Sequence, residues 1–159
     1  MRITIAAVGK IKEKYLTMGI AEFTKRMGPF CKLSIVEVDE EKLPDRPSDA
    51  ERAQALVKEG ERLLKHVRDN SYCIVLDVFG QNLSSEELSA HIDRCALDGK
   101  SDIVFLIGGA FGLAPQLRQR ANLKLSFSRM TFTHQMVRLL LVEQIYRAYK
   151  ISRGEPYHW

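Results

Sequence analysis

His134 and Arg138 stand four residues apart in the run FTHQMVRLLLVEQ, which reads as the start of a helix. Residues so spaced share one helical face. An imidazole and a guanidinium side by side can flank a site built from the preceding loop and contact phosphate; they are equally a helix N-terminal residue and a surface or interface charge. A second constellation lies upstream, where the apolar run Ile103–Ile107 meets Gly108-Gly109-Ala110-Phe111-Gly112. A strand ending in glycines is where an open α/β sheet lets backbone approach a ligand. The spacing is G-G-x-x-G, not the dinucleotide fingerprint G-x-G-x-x-G, and the ribose-binding acid expected about twenty residues later is missing. No Gly-Lys-Ser/Thr follows either, so it is not a P-loop. The third constellation is the terminus, where Tyr157, His158 and Trp159 put three rings in succession. Chain ends are usually polar and frayed, so this tail either docks on the body or stacks on a base, as aromatic side chains do with RNA. Glu143 and Arg147 read as a structural i,i+4 ion pair. His66 and His91 fall in charged helices, and no group of His, Cys, Asp or Glu has metal-ligand spacing, which predicts no metal.

Charge narrows the partner. Residues 1–102 carry 16 Lys/Arg against 18 Asp/Glu, whereas residues 103–159 carry 8 against 2, so the net charge of +4 arises wholly from the last third. Between Ile103 and Val142 there is no acid, while Arg118, Arg120, Lys124, Arg129 and Arg138 contribute five positive charges. A ligand loop in an acid-free basic segment points to an anionic partner as large as a nucleic acid. The rival is a solvated basic face with no partner.

The elements that must position these residues alternate regularly. Strands are expected at Arg2–Val8, Leu33–Val38, Tyr72–Val78, Ile103–Ile107 and Leu123–Ser128, from short apolar or alternating runs. Between them lie helices at Lys12–Met27, from Ser48 to about Val67, from Ser84 to about Leu97, from Pro115 to Ala121, and from His134 to Ser152. Ser48 with Glu51 and Ser84 with Glu87 have capping-box spacing. Gly80-Gln81-Asn82 reads as a turn closing the third strand. Strand–helix alternation without repeats or a linker predicts one α/β domain over residues 1–159, with a mainly parallel sheet flanked by helices.

Cys31, Cys73 and Cys95 are odd in number and lack C-x-x-C spacing, which predicts neither disulfides nor a thiolate metal site. The N-terminus lacks a signal-peptide pattern and no run reaches membrane-span length, so a cytoplasmic protein is expected. The last helix is apolar on nearly every face around Met136, Val137 and Leu139–Val142. Such a helix is buried all round, and in a chain this short a second subunit encloses it most readily. A homodimer with this helix in its interface is expected.

LIGGAFGL, the run LSFSRMTFTHQMVRLLLVEQIYRAYKI and the terminal PYH together resemble the RlmH family. These are bacterial pseudouridine-N3 methyltransferases of large-subunit ribosomal RNA within the SPOUT superfamily. The N-terminal I-x-AVGK-x-K-x-KY segment extends the likeness over essentially the whole chain. One departure is Thr133, where the family pattern has proline before the histidine.

The resemblance implies a homodimer whose C-terminal part forms a trefoil knot, and S-adenosylmethionine held by the knot loops. Carried over, Leu76, Gly108 and the loop Phe127-Ser128-Arg129-Met130-Thr131-Phe132 would meet the cofactor. The implied chemistry is in-line displacement: N3 of a pseudouridine attacks the sulfonium methyl carbon and S-adenosylhomocysteine leaves. The candidates for assisting it are His134, Arg138, Tyr157 and His158. Tyr157 and His158 would position the uracil edge and help N3 lose its proton; an imidazole titrates near neutrality, which suits a base. Arg138, with Arg129, would hold phosphate or stabilise developing charge. The implied substrate is ribosomal RNA within the assembled ribosome, because phosphate contacts position but do not specify. Competing readings are a non-catalytic ribosome-associated factor of the same fold, a SPOUT enzyme acting on transfer RNA, and a nucleotide-dependent oxidoreductase that the missing ribose acid disfavours.

Overall fold

Continuous apolar runs such as Ile103–Ile107 suit strands buried on both faces, as parallel sheets require. The computed structural model, which covers Met1–Trp159, has five such strands. In chain order the elements are β1 (Arg2–Val8), α1 (Lys14–Met27), β2 (Lys32–Val38), α2 (Asp49–Leu64) and β3 (Tyr72–Asn82). They continue with α3 (Ser85–Leu97), β4 (Asp102–Ile107), α4 (Pro115–Arg120), β5 (Leu123–Ser126) and α5 (His134–Ser152). The strands lie in the order β2-β1-β4-β3-β5 and every pairing is parallel. Because Cβ atoms alternate across a strand, Ile3, Ile5, Ile103 and Phe105 face α1, α3 and α5. Ala6, Val8, Val104 and Leu106 face α2 and α4. The expected α/β class, with a parallel sheet flanked by helices, is what the chain adopts.

Both capping boxes are present: Ser48 with Glu51 opens α2, and Ser84 with Glu87 opens α3. Thr133, the departure from the family pattern, is itself a helix cap, its Oγ1 accepting from the Met136 N–H at 3.1 Å. A proline there would offer no side-chain acceptor.

The third strand departs from the sequence expectation. Leu76 and Gln81 both pair with Leu125, so Asp77–Gly80 loop out as a bulge and β3 resumes through Asn82. The proposed Gly80-Gln81-Asn82 turn is therefore strand. Two local features hold the bulge. The Asp77 carboxylate turns inward to accept the Phe79 N–H at 3.1 Å, and a Cβ on Gly80 would stand 2.5 Å from the Lys124 carbonyl oxygen. The fifth strand ends at Ser126 rather than Ser128, where Ser126 Oγ donates to the Ser128 carbonyl and turns the chain.

From β5, at one edge of the sheet, the chain returns to lay α5 against α1 and α3. Ser89 Oγ donates to the Ala148 carbonyl at 2.6 Å, Ser85 Oγ donates to Gln144, and Tyr146 packs on Phe23. Within one chain α5 buries Arg138, Leu141, Val142, Ile145, Tyr146 and Ala148, while Met136, Leu139 and Leu140 remain half-buried. Tyr15 and Met18 on α1 are exposed as well. No helix is long and apolar enough to cross a membrane.

Candidate active site

The carboxyl ends of β3, β4 and β5 enclose a cavity of about 450 Å³, within the range of small-molecule sites. Three segments wall it. Leu76–Phe79 leaves β3, Ile107–Gly109 leaves β4, and Ser126–Phe132 follows β5, with His134 and Val137 of α5 completing the wall. Gly108 is constrained by its own loop, since a Cβ there would collide with the Gly112 carbonyl oxygen. The Gly112 N–H donates to the Gly109 carbonyl at 3.1 Å, closing the loop into a tight hairpin beside the cavity. The third segment is pinned where the Met130 N–H donates to Ser128 Oγ at 3.0 Å.

One charged pair stands in this wall. Arg118 Nε of α4 donates to Asp77 Oδ2 at 2.8 Å. Burial alone would raise the Asp77 carboxyl, but the bonds from Arg118 and the Phe79 N–H hold it below its ordinary value.

His134 lies at the cavity's other side, in the first turn of α5. Burial, followed by the charge of Arg138, pushes its imidazole below the ordinary value, against the pull of Glu40. It is therefore neutral near pH 7, with one nitrogen able to accept a proton.

Arg138 corrects the sequence reading. The family resemblance implies a phosphate contact for it, yet its side chain is 1% exposed and lines no part of the cavity. Nη1 donates to Glu37 Oε2 at 2.7 Å, and Nη2 donates to the carbonyl oxygens of Val8 at 2.8 Å and Gly9 at 2.7 Å. The Ile11 N–H reaches the same Glu37 oxygen at 2.9 Å. Arg138 thus fastens the carboxyl end of β1 and its following loop. Helical spacing gives the face a residue is on but not how deep that face is buried, so the sequence did not separate these roles. Arg129 is exposed and lies outside the cavity wall.

The tail docks on the body. Tyr157 packs edge-on against Tyr146 with centroids 4.8 Å apart and donates its hydroxyl to Glu143 Oε1 at 2.8 Å. Burial, with the bond to Glu143, pushes its phenol up to about 12, so it is a hydrogen-bond donor rather than a base. His158 lies between Arg147 Nη1 at 3.1 Å and Glu86 Oε1 at 2.6 Å. The Glu143–Arg147 pair is present at 2.6 Å and is the seat on which the tail rests. Tyr157 and His158 therefore do not join the cavity of their own chain.

Of the cofactor candidates, Leu76, Gly108, Phe127, Ser128, Met130, Thr131 and Phe132 line the cavity, as does His134. Phe111 of the glycine loop lines it too; not foreseen from sequence were Asp77, Phe79, Arg118 and Val137. An acid within the apolar run YCIVLDV was the available signal for Asp77.

Comparison with known proteins gives this geometry a lineage. Residues 1–158 match the family model described as predicted SPOUT methyltransferase. The chain belongs to the SPOUT methyltransferase family. The ribosomal RNA large subunit methyltransferase H of Bifidobacterium adolescentis is 54% identical over 99% of both chains. The protein of that name from Carboxydothermus hydrogenoformans is 53% identical over the same shares. A putative one from Methanococcus maripaludis is 50% identical, again over 99% of each. Within a SPOUT methyltransferase, the cavity suits a methyl donor built of a purine nucleoside and a sulfonium amino acid. Apolar Leu76, Ile107, Leu125 and Phe127 offer walls for a flat base, and the close-packed Gly108 hairpin brings backbone where a side chain would block approach. No three His, Cys, Asp or Glu side chains converge as metal ligands.

Proposed function

We propose that this chain is a cytoplasmic, S-adenosylmethionine-dependent methyltransferase that modifies N3 of a pseudouridine in large-subunit ribosomal RNA of the assembled ribosome. The observation that carries the reading is the apolar, glycine-edged cavity at three adjacent strand ends, in a chain matched over 99% of its length by relatives named ribosomal RNA large subunit methyltransferase H. S-adenosylmethionine, when bound, supplies the methyl group on an activated sulfonium. Leu76, Gly108, Phe127, Ser128 and Met130–Phe132 hold it and exclude water from the transfer. The loop from Phe127 to Thr133, which carries the chain back from the sheet edge to α5, is where we place the crossing of a trefoil knot in a single SPOUT-type domain.

What remains for protein side chains is to hold the uracil edge and help N3 lose its proton. Of the four catalytic candidates His134 alone lines the cavity, and its neutral imidazole suits the acceptor role. Tyr157 and His158 are docked on their own α3 and α5, so the reading places them at the cavity of a second subunit. The half-buried Met136 and Leu140 and the exposed Tyr15 and Met18 supply apolar surface for that homodimer. Arg138 positions the β1 loop rather than holding phosphate, and Arg129, exposed beside the cavity, keeps the phosphate role.

Two measurements test this. Calorimetric titration is expected to show S-adenosylmethionine binding that is weakened in Gly108→Ala and kept in His158→Ala. At limiting cofactor neither single variant is expected to transfer methyl to ribosomes, while dimers reassorted from both regain transfer. No cofactor binding by the parent chain would favour the non-catalytic ribosome-associated factor. Binding without recovery in mixed dimers would remove the tail from the second subunit's site.

A further inference from the structure

The bulge in β3 does something the cavity does not require. Four residues leave a ladder that closes on Leu125 from both sides, and the loop they form is fixed at each end. Asp77 is tied inward by Arg118 Nε and by the Phe79 N–H, and Gly80 is pressed against the Lys124 carbonyl. The residue displayed is Phe79, 86% exposed on the rim of the cavity. Bulges beside active sites commonly re-aim a side chain. An exposed phenyl ring on a rigid loop contributes almost nothing to folding, because it removes little apolar area from water.

The surroundings of the ring select its partner. Lys124 and Arg129 are exposed on adjoining segments, and neither forms an ion pair within the chain. Asp77, two residues before the ring and bonded to the Phe79 N–H, is already paired with Arg118. Met130, which also lines the cavity, is 75% exposed. An exposed aromatic face with unpaired cations on adjoining segments is the arrangement that single-stranded nucleic acid uses, bases stacking on rings while phosphates meet Lys and Arg.

We infer that Phe79 is a stacking platform for an unpaired nucleotide next to the target base, with Lys124 and Arg129 as its phosphate contacts. This rests on the ribosomal RNA methyltransferase reading and adds how the substrate strand is held at the mouth of the cavity. Phe79 is a positioning residue: it fixes the neighbouring base, and through the strand's backbone the base that enters.

The test uses full-length Phe79→Ala, Phe79→Trp and Lys124→Ala chains with ribosomes lacking the modification. Ribosome affinity is measured across a salt series, beside S-adenosylmethionine affinity and oligomeric state. Loss of one base stack is expected to weaken ribosome binding about 5- to 150-fold. In Phe79→Ala the salt dependence and cofactor affinity are expected to hold, and Phe79→Trp is expected to restore binding. Lys124→Ala is expected to lower the slope of log affinity against log salt by about 1. Phe79→Ala binding ribosomes as tightly as the parent overturns the proposal. So does a changed oligomeric state, which would assign the ring to a subunit interface. A parent chain that neither binds nor methylates ribosomes would instead sink the underlying reading, and the platform with it.

Discussion

The two halves of the sheet's carboxyl edge are finished in opposite ways. At β1 and β2 the edge is closed from within: Arg138 reaches up from α5, satisfies the Val8 and Gly9 carbonyls and pairs with Glu37. At β3, β4 and β5 no guanidinium caps the strand ends; Asn82 Nδ2 and Ser126 Oγ satisfy carbonyls only at the β5 margin, and the ends open onto a cavity walled by Leu76, Gly108 and Phe127. Buried strand ends must have their backbone groups satisfied by something. Where a guanidinium supplies the donors, no room is left for a ligand; where glycine and apolar side chains stand instead, a ligand can take its place. The position of one arginine thus divides a structural edge from a functional one, although both are built from adjacent parallel strands.

Substitutions can break this contrast from either side. Arg138→Met should give the largest loss of stability, about 3 kcal/mol, because it strands two buried carbonyls and half of an ion pair. Glu37 is 37% exposed, so water recovers part of its loss and keeps the cost from rising further. Urea denaturation reads the effect; a change below the noise of the measurement would show that the closed edge is held by packing alone.

On the open side, Gly108→Ala forces the Gly112 carbonyl to move, an overpacking cost of about 1–3 kcal/mol. Because the strain falls on the cavity wall, S-adenosylmethionine affinity should fall roughly 5- to 150-fold. Unchanged affinity would mean that the glycine hairpin does not contact the cofactor.

A smaller effect lies where the halves meet, at His134. Burial and Arg138 depress its folded-state value, so the fold favours the neutral ring. Its contribution to stability is then present above the ordinary value of 6.5 and is lost as pH falls through the depressed one. The parent chain should lose stability on acidification below about pH 6.5, and His134→Asn should flatten that part of the curve. Superimposable curves would place the imidazole in water rather than in the wall. The smallest expected change is at a residue that lines no part of the cavity: Ser84→Ala removes one capping bond of α3 and should cost about 1 kcal/mol, with cofactor affinity retained.

The sequence made the architecture legible wherever a rule depends only on local spacing. Both capping boxes and the bounds of β1 and α5 follow from residues within a few positions of one another. The rest depends on partners distant in the chain. Nothing near Arg138 says that its guanidinium will meet Val8 and Glu37, more than a hundred residues away. The β3 bulge likewise requires Arg118 and the Lys124 carbonyl, so the glycine at position 80 looked like the end of a strand. The tail was legible as an aromatic terminus that either docks on the body or stacks on a base. Its seat on Glu143, Arg147 and Glu86 was not, because an i,i+4 pair looks complete without a third partner.

The central claim is that the open edge binds a methyl donor for use on ribosomal RNA. Transfer of labelled methyl from S-adenosylmethionine to ribosomes lacking the modification, followed by nucleoside mapping, tests it most directly. The expected result is label in N3-methylpseudouridine of the large-subunit RNA, with far less on the free RNA. Cofactor binding without label on any ribosomal RNA, or equal labelling of free and assembled RNA, would contradict it.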